Sequence, residues 1–104
     1  MELSINDLRE LIGEKSTGGP KLAIGDKVFI RTLSYHYVGR VVEVRGSWIE
    51  LDDASWVADS GRWSNALRTG KLTEVEPYLN TVWVNLDCAV DVCGWAHDLP
   101  REVK

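Results

Sequence analysis

Apolar residues recur along the chain at two periods, and the change of period divides it. Near the start Ile5, Leu8 and Ile12 fall three to four residues apart with Leu11 beside them, the stripe of an amphipathic helix. Ser4 offers a cap hydroxyl with Asp7 three residues on, Leu3 and Leu8 have staple spacing, and Gly13 marks the stop. The expected N-terminal helix, 1–13, is too short to be stable alone in water, so it must dock on the rest of the chain or on a neighbour. Glu14 to Lys21 is polar and contains Gly18-Gly19-Pro20, which predicts a linker arm over 14–25.

From Gly25-Asp26 onward the period falls to two. Lys27 to Thr32 reads as a strand with Val28 and Ile30 on one face and Lys27, Phe29 and Arg31 on the other. Tyr35-His36-Tyr37 leads to Gly39, a bend or a close backbone approach. Arg40 to Arg45 places Val42 and Val44 inward. Gly46-Ser47 then turns the chain and Trp48 to Leu51 resumes the alternation, the signature of a hairpin. Asp52-Asp53 punctuates it, and 54–58 is expected as a separate short strand. Asp59 to Gly70 changes character: Ser60 or Asp59 caps one helical turn carrying Trp63, Ala66 and Leu67, and Gly70 ends it. A polar stretch with Pro77 precedes Thr81 to Leu86, where Val82, Val84 and Leu86 share a face, and Ala89 to Trp95 supplies the last strand. The polar tail, 96–104, is expected to lie over the surface. The pattern predicts a mainly β fold, a small SH3-like or Sm-like antiparallel barrel of five to six short strands over 26–95, with a short N-terminal helix and one inserted helical turn.

Composition narrows the function classes. A length of 104 residues fits one domain. The net charge of −4 argues against a duplex nucleic-acid partner, which selects for a basic excess. No apolar run reaches the ~20 residues of a membrane span, and no basic-then-apolar leader opens the chain. A cytoplasmic protein with no membrane partner is therefore expected, and two cysteines are too few for a disulfide scaffold.

Val28-Phe29-Ile30-Arg31-Thr32, Gly39, the hairpin at Gly46 and the run from Trp48 to Trp56 together resemble small, uncharacterised β-rich proteins of bacteria and their phages or prophages. The resemblance spans about residues 28–76. It implies a small β domain and no catalytic residues.

Polar chemistry is sparse. Cys88, Cys93, His97 and His36 are the residue types of a zinc site, but four residues separate the cysteines, and an offset of five along a strand sends them to opposite faces. No metal or other cofactor is expected. Ser60 or Ser64 with His36 or His97 and an aspartate lacks any nucleophile signature, and no enzymatic activity is expected.

Aromatic and arginine side chains are more informative, beginning with five tryptophans. Phe29, Trp48 and Trp83 fall opposite their strands' aliphatic residues and are expected to point outward. With Leu8 and Ile12 they make a candidate interface. Trp56, Trp63 and Trp95 are expected to fill a second small core under the inserted turn and tail. Tyr35, His36, Tyr37, Arg62 and Trp63 are candidates for a ligand pocket in which rings stack on a base and guanidinium meets phosphate. Alternatively Arg31, Arg40, Arg45, Arg62 and Arg68 pair with Glu43, Glu50, Asp52 and Asp53. The leading expectation is a non-catalytic β-barrel interaction module that self-associates into a homo-oligomer or a larger phage-like or bacterial assembly. The alternative is a phage-type sponge that sequesters a nucleotide-derived immune signal.

Overall fold

A computed structural model describes residues 21–104. The expected N-terminal helix, with Leu8 and Ile12, and most of the linker arm lie outside the described residues. Six strands, β1 (Lys27–Arg31), β2 (His36–Arg45), β3 (Trp48–Asp59), β4 (Glu74–Pro77), β5 (Val82–Asn85) and β6 (Asp91–Gly94), form one open antiparallel sheet. A helix, α1 (Trp63–Thr69), follows β3, and a 3-10 turn, Leu86–Cys88, follows β5. The strand order is β4-β3-β2-β1-β6, and β5 pairs with β3 beside β4. No described helix is long and apolar enough to cross a membrane.

The two expected strands on either side of Asp52-Asp53 are one. β3 runs unbroken past Asp53, whose φ of 45° bends it. Its first half pairs with β5 (Leu51 with Val82) and its second half with β4 (Val57 with Val75). The polar stretch before Thr81 thus contains β4, a strand with no sequence signal, because Glu-Val-Glu-Pro carries one apolar residue and a proline.

Two register shifts in the β2–β3 ladder break the simple alternation. The first adds a residue to β3 opposite Gly39. There an added Cβ would lie 3.0 Å from the Cβ atoms of Leu51 and Ala54, so the close backbone approach expected at this glycine is present. The second adds Val42 to β2. As a result Val41, not Val42, is buried. Val44, in regular register opposite Ile49 close to the hairpin turn, is 42% exposed.

The sheet has a core on each side. Val28, Ile30, Val41, Ile49, Leu51, Ala54 and Val84 fill the first. Phe29, Val38, Val57, Ala66, Leu72, Val75 and Trp95 fill the second, with Trp63, Cys93 and Leu99 against it. Phe29 is therefore not an outward-facing interface residue: it is fully buried. The expectation failed because it assumed one interior, whereas α1 and the tail cover the other face of β1. Trp63 and Trp95 do fill this second core under the inserted turn and tail, while Trp56 does not belong to it.

α1 ends where expected. Gly70 adopts φ 77° and its N–H donates to the Ala66 carbonyl. Its start differs. Arg62 holds the cap position without a side-chain cap, while Asp59 accepts from the Gly61 N–H at 2.8 Å and shapes the turn before it. The tail is a strap. Ser55, fully buried, donates to the Pro100 carbonyl at 2.9 Å, and Arg101 donates to the carbonyls of Ala54 and Tyr78. Lys104 and Val75 exchange backbone hydrogen bonds along the outer edge of β4.

Candidate functional site: an aromatic concavity at one end of the sheet

β2 decides which of the candidate residues can meet. Its side chains alternate, so Tyr37 faces the first core and His36 the second. Tyr37 stands opposite Trp56 in the β2–β3 ladder, and Tyr35, just before β2, packs on both: ring centroids lie 5.7 Å from Tyr37, edge to face, and 5.5 Å from Trp56. Tyr78 stacks on Tyr37 at 6.4 Å. Burial first, and bonding with the Tyr35 hydroxyl second, raise the Tyr37 phenol well above its ordinary value. Burial likewise raises Tyr78. Both phenols stay neutral and act as hydrogen-bonding, half-apolar surfaces.

Tyr35 and Tyr37 line a concavity of about 260 Å³ together with Trp48, Trp83, Asn85 and Cys88. Two sets that sequence reasoning kept apart, the outward tryptophans and the tyrosine pair, thus share one site. Trp48 and Trp83 are 46% and 40% exposed, on the outer side of the β3–β5 pair, since Ile49, Leu51 and Val84 take the inner side. A second apolar recess of about 480 Å³ shares Tyr35 and Cys88 with the first and extends it past Leu33 and Val90, both exposed. No arginine, lysine or histidine lines either space.

His36, Arg62 and Trp63 are elsewhere. Trp63 packs on Phe29 at 4.8 Å, on the opposite face of the sheet, and Arg62 is exposed at the start of α1. The Arg31 guanidinium lies over Trp63, 4.8 Å from the ring centre, and forks onto Asp91, its cross-strand partner, with Nε donating to Oδ1 at 2.8 Å. Bonding with Arg31 first holds the Asp91 carboxyl below the usual carboxylate range. Arg40 bridges Asp52 at 3.2 Å and Asp53 at 2.6 Å, and Arg45 meets Glu43 at 2.9 Å. Three of the five arginines singled out are therefore paired with acids.

His36 sits between Arg31, Asp91 and Phe29 with its Nδ1 buried and without a hydrogen-bond partner. Burial, and next the Arg31 charge, lower its pKa, while Asp91 opposes them more weakly. The unfolded chain therefore binds more protons than the folded one below about pH 6.5, the ordinary histidine value. Stability is expected to be flat above that pH and to fall as the pH drops through it, before Asp91 begins to titrate. Denaturant midpoints taken from pH 7.5 to 5 should decline for the wild type and flatten in His36→Gln. Equal slopes in both would remove His36 as the cause.

Cys88 lies in the 3-10 turn and lines the concavity, while Cys93 is on β6 and packs against the second core, so the two cysteines do not share the strand expected of them. His97 donates from Nε2 to the Leu67 carbonyl at 2.7 Å and Ser60 donates to the Gly61 carbonyl. Among the described residues no three His, Cys, Asp or Glu side chains converge as a metal site. Sequence reasoning missed Tyr78, which stands in the polar stretch before β5, and misplaced Trp56. The chain matches no protein-family model and no curated protein sequence.

Proposed function

We propose that this protein is a non-catalytic β-module of the small-barrel type that self-associates through the face bearing Trp48 and Trp83. The observation that carries the reading is the pair of half-exposed tryptophans flanking an uncharged aromatic concavity. Monomers seldom expose large apolar side chains in clusters, and tryptophan and tyrosine dominate the residues that hold interfaces together. The lining supports a protein partner over a nucleotide, since rings and neutral polar groups surround the concavity. A nucleotide there would place its phosphates among rings, with no cation lining the space.

Native mass spectrometry of the wild type, Trp48→Ala and Trp83→Ala tests the proposal. The wild type is expected as a discrete oligomer. Each variant should dissociate at least about 30-fold more readily, the effect of losing an interface anchor worth ~2 kcal/mol. Unchanged masses in both variants would overturn the assignment. An added mass of nucleotide size that is lost in Tyr35→Ala would replace it with the sponge reading.

A further inference from the structure

Strand edges differ in how well they are protected. An unpaired edge is a template for another chain, and proteins usually blunt it with charge, proline or a covering segment. On β4 the outer edge carries Glu74, Glu76 and Pro77 and is already engaged by the Lys104 backbone. The half of β2 beyond β1 carries Glu43 and Arg45, and β6 opens on Asp91. In contrast β5, with Thr81 before it, reads Thr-Val-Trp-Val-Asn, with no charge and no proline. Among the described residues β5 pairs with β3 alone.

The ladder also fixes which backbone groups that edge presents. Leu86 N–H donates to the Ser47 carbonyl at 2.7 Å, and the register continues through Trp48–Asn85, Ile49–Val84, Glu50–Trp83 and Leu51–Val82. Antiparallel ladders alternate bonded and non-bonded pairs. The Ile49–Val84 and Leu51–Val82 pairs are therefore the bonded ones, and the N–H and C=O of Trp83 and Asn85 point away from β3.

We propose that β5 pairs antiparallel with β5 of a second copy about a two-fold axis at Trp83, joining the two sheets into one. This deepens the self-association reading and rests on it. An antiparallel strand pairs with its own copy by rotation, so one edge supplies both sides of the seam. The axis sets the two Trp83 rings opposite one another on the exposed face, with each copy's Trp48 one strand behind. The uncharged sequence brings no like charges together, and in this register Thr81 of one copy faces Asn85 of the other.

That last pairing supplies the test, since both side chains lie on the Trp83 face away from the core. Thr81→Glu with Asn85→Glu sets two glutamates opposite one another at both ends of the seam. Thr81→Glu with Asn85→Lys sets opposite charges there, and both doubles lose equally the Asn85 bond to the Asp87 N–H. Light scattering across a concentration series is expected to show an oligomeric wild type, a monomeric Glu/Glu variant, and recovery of the oligomer in the Glu/Lys variant at 0.05 M salt, weakened at 0.5 M as screening shortens to about a few ångströms. Three identical oligomers would overturn the β5 seam while leaving self-association standing. Loss of the oligomer in both doubles, without recovery, would overturn the register. A wild type monomeric throughout would end both the seam and the functional reading beneath it.

Discussion

Phe29→Ala is expected to lower the unfolding free energy by about 3–5 kcal/mol, the range for truncating a buried phenylalanine. The ring is fully buried and packs on Trp63 at 4.8 Å, Trp95 at 5.2 Å and His36 at 5.7 Å. Its contacts come from β2, α1 and the strap after β6, so truncation opens a cavity bordered by three separate segments that cannot all close on it. Domains of this size have total stabilities of ~5–15 kcal/mol, so the loss removes a large share. Denaturant midpoints measure it, and Phe29→Leu, which keeps most of the volume, should lose under about 1.5 kcal/mol. An alanine variant with a wild-type midpoint would show that the second core adds nothing to the fold. This prediction is the reverse of what an outward-facing Phe29 would give, since an exposed ring could be removed with little change in stability.

Gly70→Ala is expected to cost about 2–4 kcal/mol, from two separable causes. The backbone at φ 77° disfavours any Cβ, and the Cβ built there would stand 2.5 Å from His97 Cγ and 2.6 Å from His97 Cβ. The collision is with the root of a side chain whose ring is tied to the Leu67 carbonyl, so it cannot swing aside freely. Combining Gly70→Ala with His97→Gly removes the collision and leaves the backbone cost, so the double variant should recover part of the loss relative to the sum of the singles. Strict additivity of the two would mean that the tail yields without cost and does not hold α1 in place.

Several features of the site could be read from local pattern. The turn at Gly46-Ser47 puts Arg45 opposite Trp48, and counting outward by eight on each strand puts Tyr37 opposite Trp56, as observed. The count succeeds because the two bulges add one residue to each strand and cancel. A hairpin drawn out from that turn would therefore have joined Trp56 to Tyr35 and Tyr37. The inward assignment of Val42 failed because Val42 is the extra residue of the second bulge and has no partner on β3. Tyr35-His36-Tyr37 is the sharper case: read as three neighbours it suggests one pocket, but read as strand it sends His36 to the side of Phe29 and Trp63.

Local chemistry along the chain was enough to place the hairpin, the end of α1 at Gly70, the alternation of β5 that turns Trp83 away from Val82 and Val84, and the mainly β character of the domain. Turns and alternation depend on a residue and its near neighbours, so they are written in short stretches of sequence. Tertiary structure alone decided that β1 is covered on both faces, that the tail straps β4 and β3, and that Trp48 and Trp83 meet Tyr35 and Tyr37 around one concavity. Those outcomes depend on which distant segment covers each face of the sheet, a competition among whole elements for the same apolar surface, and no window of neighbouring residues contains both competitors.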